Sequence, residues 1–218
     1  MSFANARQSL IATARQMEAL RLNQGASGNL SLRDRDGFWI TPATVSTADL
    51  TPEDLVWMDF DGRRRGSREP SREWRLHRDI LQAYPEHQAV LHAHPPHSTA
   101  LACLERELPA FHYRIAAAGG DSVRCTPYRL YGSPELAAAA VAALQGRRAC
   151  LLAHHGLVTA AATLDQALAL AAEVELLCDI YFKTLAVAEP PQLSPQQVAE
   201  VLEQLAADAI VPSPHHLP

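Results

Sequence analysis

The hydrophobic positions of the chain fall into helical stretches and short apolar runs. Residues 2–22 carry apolar side chains at helical spacing, and Asn23-Gln24-Gly25 is predicted to end this helix. Thr163 and Gln166 have the spacing of a capping box, and the same signature returns at Ser194, where a last helix is predicted to begin. Further helices are predicted at residues 73–84, 133–144 and 164–185.

Short apolar runs that end at turn residues predict β-strands. The predicted strands cover residues 29–33, 38–41, 55–60, 149–153 and the run from Gln88 that carries His92 and His94. Because strands interleave with helices but several strands come as adjacent pairs, we predict a mixed, mainly antiparallel sheet covered by α-helices. This is an α/β fold with α+β character, in a single domain over residues 1–207 with a flexible tail at 208–218.

The composition limits the classes of protein that the chain can represent. Hydrophobic residues make up 48% and charged residues 20% of the 218 positions, as in ordinary globular proteins. The formal net charge of -5 argues against nucleic-acid binding, and the basic run Arg63–Arg65 is predicted to be a solvated turn. The longest apolar segment, residues 164–188, contains four acidic residues, so we expect no membrane partner. With four dispersed cysteines and no signal peptide, we expect a cytoplasmic protein.

The most informative chemistry lies at His92-Ala93-His94. Side chains at positions i and i+2 of a strand point to the same face, so these two imidazoles could hold one ion. His155 ends a second apolar run and could supply a third nitrogen, while Glu73 lies upstream. Three protein ligands with an open position are typical of a catalytic zinc site. The spacing alone leaves packed histidines open as an alternative.

Six motifs carry a resemblance that covers nearly the whole chain. They are residues 24–31 (QGASGNLS), 40–42 (ITP), 70–74 (PSREW), 92–94 (HAH), 111–113 (FHY) with 118–120 (AGG), and 154–156 (HHG). Their order and spacing resemble the class II aldolase/adducin family. The resemblance implies the head-domain fold of that family and a zinc-dependent retro-aldol cleavage of a ketose 1-phosphate, such as L-fuculose 1-phosphate. The products would be dihydroxyacetone phosphate and a short aldehyde, formed through a metal-stabilised enediolate.

The resemblance also implies roles for single residues. His92, His94 and His155 would bind Zn²⁺, one ion per chain, which Co²⁺ or Mn²⁺ could replace. Glu73 would be the general acid/base and could itself ligate the metal. Tyr113 would donate a proton on the aldehyde side from a neighbouring subunit, within a fourfold homotetramer that has its sites at subunit interfaces.

The phosphate site of the family resembles a loop of this chain in which Gly28, Asn29 and Ser71 could receive an anion. The pattern departs from the family at two of the places that bind phosphate. Ala43-Thr44 stands where the family has a hydroxyl residue followed by glycine, and Arg72 replaces a serine. A guanidinium can hold a phosphate or a carboxylate in a bidentate fork, or it could form a surface ion pair. Position 209, where fuculose-phosphate aldolases often have tyrosine, is Ala209.

These departures leave several functions open. The first is an aldolase acting on a deoxy-ketose 1-phosphate derived from L-fuculose, 5-deoxyribulose or rhamnulose. The second is a zinc aldolase or decarboxylase of the same fold whose substrate carries a carboxylate, with Arg72 as its receptor. The others are a methylthioribulose-1-phosphate dehydratase and a non-catalytic adducin-like module. The single lysine, Lys183, argues against a Schiff-base aldolase.

Overall fold

The computed structural model describes residues 3–24 and 27–210, and within these ranges the strands form one nine-stranded sheet. The strand order is β4-β3-β2-β1-β5-β9-β8-β7-β6. The strands are β1 Asn29–Asp34, β2 Gly37–Ile40, β3 Val56–Asp59, β4 Arg64–Arg65, β5 Ala89–Ala93, β6 Leu108–Pro109, β7 Ser122–Thr126, β8 Ala149–Leu152 and β9 Gly156–Ala161. Every pair of neighbours is antiparallel except β7 and β8. The predicted mixed, mainly antiparallel sheet is therefore confirmed.

Helices cover both faces of the sheet. They are α1 Phe3–Ala19, α2 Trp74–Ala83, α3 Pro96–Cys103, α4 Pro134–Ala143, α5 Leu164–Leu185 and α6 Pro195–Ile210, with 3-10 helices at Thr47–Asp49 and Tyr113–Ala118. In the described ranges, no helix is long and apolar enough to cross a membrane. The helix predicted at 164–185 has the bounds of α5, and the hydroxyl of Thr163 accepts a hydrogen bond from the backbone of Gln166 at its start.

The central strand β5 is buried on both sides, and alternation along it assigns its residues to two cores. Leu91 packs in the core formed with α1, α3 and α5, whereas Val90 packs in the core formed with α2 and α4. Since side chains alternate along a strand, His92 points to the same face as Val90. The sheet therefore directs His92 towards α2, whose first turn follows Glu73.

Two predicted boundaries differ from the structure. Helix α1 ends at Ala19 rather than at Asn23, because Arg21 adopts a left-handed conformation (φ 58°) and Leu22 N donates to Met17 O at 2.8 Å. That pattern is a Schellman C-cap, here without glycine. Helix α6 extends to Ile210, three residues beyond the predicted end of the domain. Residue 2, Gly25 and most of the predicted tail, 211–218, lie outside the described residues.

The basic run at 63–65 is exposed, as predicted, but it is not only a turn. Arg64 and Arg65 form the short strand β4, which pairs antiparallel with β3 at the edge of the sheet. Charged side chains on a short edge strand discourage pairing with another sheet.

Candidate active site

Three histidines meet where β5 and the turn between β8 and β9 come together. His92 lies on β5, His94 follows one residue after the strand, and His155 immediately precedes β9. The Nε2 atoms of His92 and His94 are 3.0 Å apart, and one ligand atom from each of the three rings lies within 4.8 Å of the others. We call these three residues the histidine cluster. The structure thus brings together the three predicted metal ligands.

The turn that carries His155 needs a residue without a side chain at Gly156. A Cβ atom there would lie 2.4 Å from the carbonyl oxygen of Ala93 and 2.7 Å from the ring of His94. Gly156 therefore lets the two strands bring His94 and His155 close together. His154 takes the left-handed conformation in this turn (φ 54°) and points away to Glu105, so it does not join the cluster.

Hydrogen bonding and burial leave ring nitrogens of the cluster free to bind a cation. The Nδ1–H group of His92 can donate to the carbonyl oxygen of Leu157 at 3.0 Å, which leaves Nε2 facing the other two rings. Burial, followed by the neighbouring charge of His92, lowers the pKa of His94 to about 3 and that of His155 to about 4. Both rings are therefore neutral at physiological pH, which is the form that binds metals.

The carboxylate of Glu73 completes the site. Glu73 is the residue before α2, but in the described structure its side chain does not cap that helix. Instead, its Oε2 lies 3.1 Å from His92 Nε2 and accepts a hydrogen bond from Asn29 Nδ2 at 2.9 Å, while its Oε1 lies 3.3 Å from His155 Nε2. Its position is therefore set by the cluster rather than by the helix dipole.

The surroundings of Glu73 favour its ionised form. Burial favours the neutral acid, but the charge and hydrogen bond of His92, the charge of His155 and the amide of Asn29 outweigh it. Together they hold the pKa of Glu73 well below its usual range rather than raising it towards neutrality. Burial lowers the pKa of His92, but the charge and hydrogen bond of Glu73 and the hydrogen bond to Leu157 together outweigh burial and raise this pKa.

The donor set fits a divalent cation. Three imidazole nitrogens with a neighbouring carboxylate suit zinc and related first-row metals. Within the described residues, Glu73 Oε1 is buried without a hydrogen-bond donor, although it faces the histidine cluster. A buried acceptor in that position is costly unless a cation or a ligand interacts with it.

A cavity of about 410 Å³ opens beside the cluster. It is lined by all six residues predicted to bind substrate or phosphate, together with Glu73, His94 and His155. The six are Gly28, Asn29, Ala43, Thr44, Ser71 and Arg72. Ser27, Pro42 and Tyr131 also line this cavity and were not predicted. No local signal marked Tyr131, because its approach to the cavity depends on how the loop before α4 folds back.

The loop that was predicted to receive an anion depends on Gly28 for its backbone conformation. This residue has φ 76°, and a Cβ atom there would lie 2.2 Å from the amide nitrogen of Asn23. Asn23 in turn accepts a hydrogen bond from the backbone N–H of His94 at 3.2 Å, so it joins the loop to the metal ligands. Asn23 was not predicted to take part in the site, since its position in the sequence indicated only a helix end.

The Ala43-Thr44 segment has an unfavourable backbone conformation. Thr44 adopts φ 61°, an unfavourable conformation for a β-branched residue. The backbone N–H of Ala43 is already bonded to the carbonyl oxygen of Glu69 at 3.0 Å. Ala43 therefore brings neither a hydroxyl nor a free N–H to an anion.

Arg72 is exposed and lines the cavity at the N-terminal end of α2. Among the described residues, no hydrogen bond or ion pair involves its guanidinium, so the surface ion pair considered above is not formed. Its carbonyl oxygen would lie 2.9 Å from a Cβ atom at Gly132, so the loop that carries Tyr131 packs directly against it. The guanidinium is thus available to an anion in the cavity.

Tyr113 stands apart from the site within one chain. It begins the 3-10 helix Tyr113–Ala118, its side chain is 52% exposed, and its ring lies 4.9 Å from that of His112. Among the described residues it does not line the cavity. Its position on the surface is compatible with a contribution to another subunit.

The fold and the site define a class of protein. Residues 8–182 match the family described as the class II aldolase and adducin N-terminal domain. The match covers well over half of the chain, so the chain belongs to this family. The family generally uses a divalent metal, and the histidine cluster could bind one.

Relatives that match nearly the whole chain are named as aldolases. The chain is 48% identical over 211 residues to a 5-methylthioribulose-1-phosphate/5-deoxyribulose-1-phosphate aldolase of Rhodospirillum rubrum, covering 95% of this chain and 96% of the relative. It is 46% identical over 196 residues to an L-fuculose phosphate aldolase of Escherichia coli O6:H1, covering 89% and 91%. A solved structure of an L-fuculose 1-phosphate aldolase superposes with a TM-score of 0.91 at 37% identity, covering 94% and 98%. The chain is thus an enzyme of the aldehyde-lyase class.

Proposed function

We propose that this enzyme is a zinc-dependent aldolase that cleaves a ketose 1-phosphate lacking the hydroxyl on its terminal carbon. L-fuculose 1-phosphate and 5-deoxyribulose 1-phosphate belong to this substrate class, and the names of both relatives support it. The observation that carries the proposal is the position of the histidine cluster and Glu73 beside a cavity lined by the anion-binding loop. The products are dihydroxyacetone phosphate and a short aldehyde.

The residues divide the chemistry between them. Cleavage breaks the bond between C3 and C4, turns the C4 hydroxyl into an aldehyde and leaves an enediolate that takes up a proton at C3. His92, His94 and His155 would hold a divalent cation, which would supply Lewis-acid stabilisation of the negative charge. Glu73 carries the proton to and from C3, since its carboxylate lies beside the cavity. The substrate phosphate binds at the N-terminal end of α2, where the helix dipole favours an anion.

The metal test compares His94→Ala with His97→Ala. The wild-type chain should carry about one zinc ion. His94→Ala should lose both the zinc ion and the aldolase activity, but it should still fold. His97 is a matched control, because it is a partly exposed histidine that pairs with Glu175 outside the site. Metal content is measured by plasma mass spectrometry and folding by circular dichroism. Wild-type turnover by a metal-free His94→Ala variant would contradict the metal role.

The substrate test is a panel of ketose 1-phosphates. The wild-type enzyme is incubated with the 1-phosphates of L-fuculose, 5-deoxyribulose, 5-methylthioribulose and L-rhamnulose. Released dihydroxyacetone phosphate is measured by coupled reduction, and the aldehyde is identified by mass spectrometry. Every member of this panel lacks the hydroxyl on its terminal carbon, and cleavage of any of them supports the proposal. Loss of water without cleavage would instead identify the dehydratase, and no reaction with any member would contradict the aldolase.

We also propose a homotetramer in which Tyr113 of one subunit reaches the site of its neighbour. There it gives its phenolic proton to the aldehyde oxygen during bond formation and takes it back during cleavage. The exposed ring of Tyr113, outside the cavity of its own chain, supports this arrangement. Light scattering combined with activity tests it, and a fully active monomer would contradict both the assembly and the role of Tyr113.

A second candidate function rests on Arg72. Its unpaired guanidinium beside the cavity could receive a carboxylate instead of a phosphate. The enzyme would then be an aldolase or decarboxylase of the same family that acts on a sugar acid. Sugar acids in the substrate panel distinguish this candidate from the ketose 1-phosphate aldolase.

A further inference from the structure

A buried chain of hydrogen bonds starts at Glu73 Oε2, the carboxylate oxygen that also faces His92. Asn29 donates from Nδ2 to Glu73 Oε2 at 2.9 Å, and Asn29 Oδ1 in turn contacts His77 Nε2. The other ring nitrogen of His77, Nδ1, lies 2.7 Å from the hydroxyl oxygen of Ser31. His77 and Ser31 are completely buried, and Asn29 is 7% exposed. We call Ser31, His77 and Asn29 the relay.

The relay follows from two matching periods. Glu73 and His77 are four residues apart at the start of α2, while Asn29 and Ser31 are two residues apart on one face of β1. Four helical residues rise about 6 Å and two strand residues rise about 6.6 Å. Asn29 can therefore contact Glu73 while Ser31 contacts His77, without distortion of the helix or the strand.

Each bond in the relay has one direction. Asn29 presents its NH₂ group to Glu73 Oε2 and its Oδ1 to His77. His77 must then carry its proton on Nε2, and its bare Nδ1 accepts from the hydroxyl of Ser31. The opposite tautomer would turn the amide around and bring its oxygen against the carboxylate.

We propose that His77 is a positioning residue for the reaction: through its Nε2–H tautomer it holds the amide of Asn29, which holds the carboxylate of Glu73. This inference rests on the proposed function for its catalytic consequence. The buried location adds to the effect, since hydrogen bonds in a low dielectric fix orientation strongly. Outer partners of a metal-site group commonly change activity by about 10–100-fold when they are removed.

The first experiment reads the tautomer without any catalysis. Two-dimensional ¹⁵N–¹H correlation spectra of metal-free, histidine-labelled protein report which ring nitrogen of His77 is protonated. We expect a proton on Nε2 and a bare Nδ1. A proton on Nδ1 would overturn the relay whether or not the protein is an aldolase.

The second experiment uses His77→Leu and His77→Gln, with His87→Leu as the matched control for the loss of another buried histidine. His77→Leu should lower kcat, and the exchange of protons on dihydroxyacetone phosphate, by about 10–100-fold with metal content unchanged. KM should change by less than about threefold, because the loss affects the chemical step. His77→Gln should recover most of kcat, since its amide can donate to Asn29. His87→Leu should keep wild-type kcat.

A double-mutant cycle separates positioning from general loss of stability. In an Asn29→Ala background the relay is already broken, so adding His77→Leu should lower kcat by less than about threefold further. If the two losses multiply instead, His77 acts structurally and the inference is wrong. A wild-type kcat in His77→Leu would also show that the inference is wrong.

Ser31→Ala covers the case in which His77→Leu does not fold. It deletes one hydroxyl and should lower kcat by about threefold to tenfold, with KM unchanged. Unchanged kcat in Ser31→Ala would then overturn the relay. If wild-type protein cleaves no ketose phosphate and exchanges no proton, the proposed function fails, and the tautomer measurement alone decides the inference.

Discussion

Replacing Arg72 by serine tests which anion the cavity receives. The guanidinium has no partner in the described structure, so its removal breaks no internal contact. A hydrogen bond to a charged group contributes about 1.5–3 kcal/mol. Arg72 is exposed and screened by solvent, so we expect the lower part of that range, about 1.5–2 kcal/mol. This corresponds to a rise in KM of about 10–30-fold. We expect a smaller change in kcat, because the contact is made equally in the ground state and in the transition state.

The assay measures initial rates of the wild type and Arg72→Ser with ketose 1-phosphates and with sugar acids. Arg75→Ser is the matched control, since it removes the same charge from the first turn of α2, close to Arg72. Arg75 stacks on Trp74, with its guanidinium carbon 4.6 Å from the ring centre. Together with Arg72 it lines a neighbouring cavity, but within the described residues it does not line the cavity beside the histidine cluster. We expect Arg75→Ser to change KM by less than about twofold at physiological salt.

The outcome distinguishes three roles for Arg72. A rise in KM for phosphate esters alone makes it a phosphate ligand that replaces the hydroxyl lost at Ala43. A loss confined to sugar acids makes it a carboxylate receptor. Equal effects of Arg72→Ser and Arg75→Ser would mean that only the general field of the helix end matters, and would refute the reasoning.

Three further predictions follow from the site and its surroundings. Glu73→Gln should keep its metal but lose proton exchange on dihydroxyacetone phosphate by about 10²–10⁴-fold; ¹H NMR in D₂O measures this, and wild-type exchange would remove Glu73 from the mechanism. Gly28→Ala should lower the free energy of unfolding by at least about 1–2 kcal/mol in urea, because φ is 76° and Asn23 blocks the added carbon; unchanged stability would contradict the described loop. Hydrogen bonds from Thr51 and then Arg68 hold the pKa of Asp54 below its ordinary 3.8. Its stabilising contribution is therefore complete above pH 3.8 and lost as the pH falls through the lower folded-state value, so Asp54→Asn should reduce the acid dependence of unfolding.

Local patterns in the sequence were sufficient to predict several elements. The bounds of α5 follow from the capping box at Thr163, and Ser194 and Gln197 form a reciprocal capping box before α6, with bonds of 2.8 and 3.2 Å. The prediction that the side chains of His92 and His94 point to the same face needed only the two-residue period of a strand. These features depend on residues within one turn of each other, so the sequence alone determines them.

Other elements were not predicted because their residues do not show a clear period. Helix α3, Pro96–Cys103, carries no amphipathic pattern, and its first turn is held by Glu175 of the distant α5, which accepts from the backbone N–H groups of His97 and Ser98. Strand β7 mixes buried residues with Arg124. In both cases contacts from remote parts of the chain stabilise the segment, and the local sequence does not contain them.

The arrangement of the site depends on both the local sequence and the tertiary structure. The sequence by itself determined the ligand types, their facing on β5 and the order of the motifs. Only the tertiary structure decided that β9 lies between β5 and β8, which brings His155 to His92, and that α2 packs on β1, which brings Glu73 and His77 to Asn29. The physical reason is that backbone sterics and capping act over a few residues, whereas strand order and helix packing are chosen by burial of the whole core.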